Sequence, residues 1–224
     1  MNYFEATELI RLKAEIEHDI TLDGDLIPLP GKDPLLFLAN RHRDGYVFYY
    51  RQQVPALVRD QIDALGPERA FGDDAAVQEI LAGFEPCTRW VEGVGGYFAE
   101  MPMPDEFPGV VQQGGNYQIE VAGQAVSRAW TWFESDEAAE LVVEALPDFR
   151  RHGYARQVAA AWAAGVMQAG RVAFYSYLAD NEASAALARS LGVVEYATWV
   201  AYLRCRSPQM SRNRVASGGI TADG

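Results

Sequence analysis

The chain has 224 residues, 49% of them hydrophobic and 12% aromatic, enough to bury a core as one large domain or two small ones. Its net charge of −12 is unevenly placed: residues 1 to 115 hold 20 Asp and Glu against 9 Lys and Arg, and residues 116 to 224 hold 11 against 10. Nucleic-acid binding, which needs a basic face, is disfavoured; a cationic small molecule or peptide is accommodated more easily, and a solvated acidic surface accounts for the same charge.

No apolar run reaches the roughly 20 residues of a membrane helix, and the start "MNYFEATELIRLK" lacks the order of a signal peptide. The expectation is a cytoplasmic protein without a membrane partner. Cys87 and Cys205 are far apart in sequence and read as thiols of a reducing compartment. Three histidines, His18, His42 and His152, form no close pair, so no metal site is expected.

In chain order, Leu9, Leu12 and Ile16 share one helical face of "YFEATELIRLKAEIE". "LLFLANRHRDGYVFYYR" reads as a hairpin turning at Asp44-Gly45. "VPALVRDQIDALG" and "DDAAVQEILAGF" read as helices closed by Gly66 and Gly83, with short strands expected around Trp90 and Tyr97. "MPMPDEFPGVVQQGG" breaks regular structure and is the expected boundary between residues 1–115 and the second half of the chain. Three antiparallel strands come next, in "NYQIEV", "AVSRAWTWF" and "AELVVEAL". A helix from about Gly153 to Ala169, the strand "VAFYSYL", a helix from Asn181 to Gly192 and the strand "VVEYATWVAYL" complete the pattern. The tail, residues 206–224, is polar and expected to be flexible.

The stretch "PDFRRHGYARQVAAAWAAGV", residues 147 to 166, sets two arginines, a histidine and a glycine ahead of an Ala-rich helix. The first turn of a helix exposes unpaired N–H groups and the positive end of the helix dipole, and a glycine lets a ligand approach the backbone closely. R-x-x-G-x-A, at Arg150, Gly153 and Ala155, therefore reads as an anion seat with room for a pyrophosphate. A strand-to-helix turn with solvated arginines uses the same residues.

This turn, together with the later "YSYLADNEASAALARSLGVVEY", resembles the GNAT superfamily of acyl-CoA-dependent N-acyltransferases over residues 116 to 203. The resemblance implies an α+β fold: a mixed, mostly antiparallel GNAT-type sheet flanked by helices, with an acyl-CoA-binding core over residues 116–205. The divergent residues 1–115 would shape part of the acceptor pocket. Acetyl-CoA would be the co-substrate, with no metal, and the acetyl group would pass to a primary amine of a small molecule or peptide, of cationic character on the charge balance. A non-catalytic acyl-CoA-binding module is the alternative, and a homodimer stays open.

Carried onto this sequence, the resemblance implies that backbone N–H groups from Arg151 through His152, Gly153, Tyr154 and Ala155 to Arg156 hold the pyrophosphate. Arg150, Arg151 and Arg156 would add charge. Backbone groups near Glu144, Ala145 and Leu146 would bond the pantetheine and polarise the thioester carbonyl. Glu140 and Glu144 stand four apart on one strand, so they share a face; Glu144 is the first candidate for the base and Glu140 the second. Asn181 and Ser184 match CoA-side polar positions. The tyrosine that the superfamily usually carries seven residues after the asparagine is Ala188 here, which leaves Ser184, Tyr175, Tyr177, Tyr196 or water to assist the departing thiolate.

Overall fold

The computed structural model describes residues 4–29, 35–86, 88–103, 105 and 107–205. Helix α1 (Ala6–Glu15) leads into a two-stranded ribbon, β1 (His18–Ile20) and β2 (Leu26–Pro28), and then into the hairpin β3 (Leu35–His42) and β4 (Gly45–Tyr50). Helices α2 (Ala56–Asp63), α3 (Pro67–Gly72) and α4 (Asp74–Ala82) precede β5 (Thr88–Tyr97). The remainder runs β6 (Val111–Gln113), β7 (Asn116–Val121), β8 (Gln124–Glu134), β9 (Ala138–Ala145), α5 (Tyr154–Gln168), β10 (Val172–Leu178), α6 (Glu182–Ser190) and β11 (Val194–Arg204).

Nine strands form one sheet in the order β4-β3-β11-β5-β10-β9-β8-β7-β6. All neighbours are antiparallel except β9 and β10, the two strands that α5 connects. The expected mixed, mostly antiparallel sheet is therefore present, and so is the strand and helix order read from residue 116 onward. Residues 1–115 are not packed apart from it. β5 lies between β10 and β11, and β3 and β4 continue the sheet beyond β11. The Pro- and Gly-rich segment at 101–115 includes β6, so it is a connection within one sheet.

Burial explains the layers. Alternating residues Phe37, Ala39, Val200 and Tyr202 pack under Val58, Ile62, Val77 and Leu81 of α2 and α4. On the same face, Ala139, Leu141, Ala173 and Tyr175 pack under α5, whose Val158, Ala159, Trp162, Ala163 and Val166 are buried. The small side chains let α5 lie close to the sheet, and Trp162 Nε1 donates to Thr131 Oγ1 at 3.0 Å to fix it there. The opposite face carries α1, with Leu9, Leu12 and Ile16 against Tyr97, Ala138 and Phe174, as the helical spacing of those residues requires.

Three local readings change. The helix expected to run to Gly66 ends at Asp63, and Gly66 instead precedes α3, a helix that Pro67 starts. The short strands expected near Trp90 and Tyr97 are one strand, β5. Cys205 is disulfide-bonded rather than a thiol, while Cys87 and the tail 206–224 lie outside the described residues. No helix among the described residues is long and apolar enough to cross a membrane, and no group of three or more His, Cys, Asp or Glu among them is placed to hold a metal ion.

Candidate active site

The parallel ladder between β9 and β10 pairs Val172 with Ala138, Ala173 with Ala139 and Phe174 with Glu140, and there it stops. Both strands continue, to Ala145 and Leu178, so a gap opens between them. Backbone groups lie on its β9 side. The Leu146 N–H donates to the Val126 carbonyl at 2.9 Å, towards β8. Strand alternation then turns the amides of Val142 and Glu144 the same way and those of Leu141, Val143 and Ala145 towards the gap. The Ala145 amide thus faces the gap, whereas the Leu146 amide faces away, and the exposed Leu146 side chain lines a neighbouring pocket.

After β9, a 3-10 turn at Pro147–Phe149 leads to Arg150, Arg151, His152 and Gly153, all exposed. Arg151 and Gly153 both have positive φ, 64° and 79°, on either side of His152. Such left-handed residues next to ordinary ones curl successive N–H groups towards one point, which makes an anion-binding concavity. Gly153 also precedes α5, and no side chain caps that helix, so its first N–H groups have no side-chain acceptor. A Cβ built on Gly153 would meet nothing within 4 Å, so the glycine answers to its backbone angle and to the open space beside it. The His152 Nδ1 and the Arg150 carbonyl lie 2.9 Å apart, and the His152 ring stacks on Tyr154 at 5.7 Å between centroids. Arg156 Nε donates to the Ser190 carbonyl at 3.0 Å and ties α5 to the end of α6.

Glu140 and Glu144 share the face of β9 opposite α5, as their spacing requires, but their surroundings differ. Glu144 pairs in register with Arg128 and borders a pocket of about 280 Å³ shared with Ser127, Arg128 and Leu146. Glu140 is buried at the point where the ladder ends, and Lys13 of α1 places its Nζ 2.8 Å from Glu140 Oε2 while also bonding Glu17. One ammonium therefore serves two carboxylates. Burial would lower the Lys13 pKa, but Glu140 and Glu17 outweigh it and hold Lys13 charged. Burial, together with the like charge of Glu17, raises the Glu140 pKa above its usual range against the pull of Lys13. The Ser176 hydroxyl approaches Glu140 and favours its charged form, yet it falls short of a well-aligned hydrogen bond.

Tyr196 completes this cluster. Its ring lies against Gly95 of β5, where a Cβ would come within 2.8 Å of it, and its pKa is raised by burial and by the two carboxylates. Sequence reasoning missed Lys13 and placed Tyr196 only among the candidates for assisting the thiolate. Lys13 on the apolar face of α1, four residues before Glu17, was the legible signal for the first; the glycines in "EGVGGY" were the signal for the packing of the second.

Asn181 and Ser184, expected as CoA-side contacts, and Tyr175 and Tyr177, named as candidates to assist the thiolate, each have a partner within the protein. Asn181 accepts from the Ser184 N–H at 3.0 Å and so caps its own helix. Ser184 Oγ lies 2.6 Å from the hydroxyl of Tyr175, a buried residue of β10 whose pKa burial raises. The Tyr177 hydroxyl donates to Glu195 Oε1 at 2.6 Å, and burial with that bond pushes its pKa up to about 12. Ala188 is buried in the core around Tyr175.

A family model described as GNAT acetyltransferase matches residues 107–202. No curated protein matches the chain. Among solved structures, an acetyltransferase of the GNAT family from Colwellia psychrerythraea superposes with a TM-score of 0.51 at 11% identity, over 92% of this chain and 99% of its own. A GNAT-family acetyltransferase from Novosphingobium aromaticivorans gives 0.47 at 20% identity over 55% of this chain and 69% of its own. A GCN5-related N-acetyltransferase-like protein from Streptococcus suis gives 0.47 at 14% over 88% and 99%. The strand, turn and helix that build the gap and the turn at Arg151–Gly153 lie within the residues that match the GNAT acetyltransferase model, and the Colwellia psychrerythraea protein shares the overall fold.

Proposed function

We propose that the protein is an N-acetyltransferase that moves an acetyl group from acetyl-CoA to a primary amine. The observation that carries this reading is the end of the β9 and β10 ladder at Glu140 and Phe174, followed directly by the anion seat at Arg151–Gly153. The seat fits a pyrophosphate by its curled amides, its flanking arginines and the open space at Gly153. The gap fits an extended pantetheine arm, for which the amides of Val143 and Ala145 supply donors and against whose carbonyl they stabilise developing charge.

Acetyl-CoA supplies the thioester, and the protein's own groups do the rest. A protonated amine must lose a proton before or during attack. Glu140 suits that task better than Glu144, because burial raises its pKa towards the operating range and it stands where the gap begins. Glu144 remains the alternative through the pocket it borders. The Ser184 and Tyr175 hydroxyls form a coupled pair next to β10 that can hydrogen-bond a departing thiolate, in the place of the tyrosine that Ala188 replaces.

The test is free-thiol release from acetyl-CoA across a panel of amines, with each product's mass measured. Amine-dependent thiol release with a gain of one acetyl group supports the reading. CoA binding without turnover on any amine overturns it in favour of a binding module. The ion pair that holds Glu140 is the observation favouring that second reading.

A further inference from the structure

A second concavity, about 310 Å³, lies between the tip of the β3 and β4 hairpin and the start of β11, lined by Arg41, His42, Arg43, Glu195, Tyr196 and Thr198 among others. Its charge runs against that of the chain. Two arginines and a histidine meet one glutamate, in a protein of net charge −12. Neither Arg41 nor Arg43 makes an ion pair among the described residues. Arg41 is instead held with its guanidinium 4.8 Å from the centre of the Phe71 ring, a stacking contact that fixes its direction and leaves its donors free.

A second observation is independent of the arginines. The Thr198 hydroxyl is shielded from solvent and has no hydrogen-bond partner. A buried hydroxyl without a partner costs about 1–3 kcal/mol, and a rotation about χ1 would offer it to the pocket. Two free guanidinium forks and an unpaired hydroxyl around one concavity are the donor set of an oxyanion site.

The site also connects to the gap. Arg41, Thr198, Val94 and Tyr177 form one register row across β3, β11, β5 and β10, and β10 borders the gap. Tyr196 lines the pocket and also feels the charges of Lys13, Glu140 and Glu17. From β11 to β10 is two strand spacings, about 10 Å.

We propose that this pocket binds an anionic group of the acceptor, a carboxylate or a phosphate, through Arg41, Arg43 and Thr198, with the reacting amine in the gap beyond β10, farther off than the roughly 10 Å of two strand spacings. The acceptor is then an amine with an anionic far end, which reverses the cationic character inferred from overall charge. Overall charge sums a surface, whereas recognition is set by the few groups that converge on the ligand.

This acceptor assignment rests on the acetyltransferase reading, but anion binding can be tested without it. Full-length protein is titrated calorimetrically at low salt with succinate and with inorganic phosphate, beside an Arg41→Gln/Arg43→Gln variant, with CoA as the control ligand. Binding of at least one anion that weakens about tenfold or more in the variant, with CoA affinity unchanged, supports the site. Succinate alone assigns a carboxylate, phosphate alone a phosphate. Binding of neither anion, or equal binding by the variant, overturns it.

The acceptor role is then read from acetylation of a tripeptide with a free C-terminal carboxylate against its C-terminal amide and a phosphorylated amine of similar length. A preference for either anionic acceptor that the double variant abolishes supports the assignment. Equal transfer to the amide overturns it while leaving acetyl transfer standing. Transfer to no amine at all overturns the acetyltransferase reading and with it the acceptor role, and the anion titration still decides the site.

Discussion

Lys13 Nζ and Glu140 Oε2 lie 2.8 Å apart across the interface between α1 and the sheet, at the position where β9 and β10 part. Glu140 is buried and Lys13 largely so, and the Glu140 charge is therefore stabilised mainly by Lys13, and the Lys13 charge by Glu140 and Glu17, rather than by water. In the proposed reaction this makes α1 part of the proton path. Glu140→Gln is expected to lower kcat by on the order of 10²-fold and to leave the affinity for CoA unchanged. A variant with full kcat transfers the role of base to Glu144.

The pH dependence comes from the direction of the shift. Burial places the Glu140 pKa above the ordinary glutamate value, and a base must be ionised, so activity is lost as pH falls through that raised pKa. Lys13→Met removes the charge that opposes the rise, so the acidic limb of the kcat profile should move to higher pH. The limb should vanish in Glu140→Gln. Profiles of the three proteins, measured at saturating substrate, check both statements; a limb that stays in place in Lys13→Met separates Glu140 from the rate.

Gly153 has a φ of 79° and open space where a side chain would begin. Gly153→Ala is expected to cost about 1–2 kcal/mol through the left-handed backbone, read as a fall in melting temperature. Gly153→Val adds bulk where the pyrophosphate would approach and should weaken CoA by about tenfold or more, measured by calorimetry on the folded variant. CoA binding as tight as wild type would remove the site from this turn.

Ala188 stands where the superfamily usually has a tyrosine, but it is 1% exposed and packed in the core beside Tyr175. Ala188→Tyr should therefore not restore an acid. Overpacking is expected to cost about 1–3 kcal/mol, seen in chemical denaturation as a lower midpoint. A variant that is as stable as wild type and turns over faster would overturn this.

Ser184 and Tyr175 share a hydrogen bond of 2.6 Å. If they assist the thiolate, Ser184→Ala and Tyr175→Phe should each lower kcat by less than Glu140→Gln does, because a thiol with a pKa near 8.5 is already a tolerable leaving group. The double variant should lose little more than either single one, since the two hydroxyls act as a unit. Fully additive losses would show two independent roles.

What the sequence determined by itself is what depends on neighbours along the chain. R-x-x-G-x-A at Arg150, Gly153 and Ala155 fixed the turn for which an anion seat is proposed, because φ at Gly153 and the uncapped start of α5 are local properties. The spacing of Glu140 and Glu144 fixed their common face through the period of two of a strand, and Leu9, Leu12 and Ile16 fixed the buried face of α1. The tertiary structure decided what depends on distance through space. That β5 inserts between β10 and β11, that Arg41 shares a register row with Thr198, and that Ala188 is enclosed are consequences of long-range strand order and packing. The same holds for the contrast between the two glutamates. Only the docking of α1 brings Lys13 to Glu140, 127 positions apart in number, and burial there sets its protonation, a quantity that a strand's own sequence does not contain.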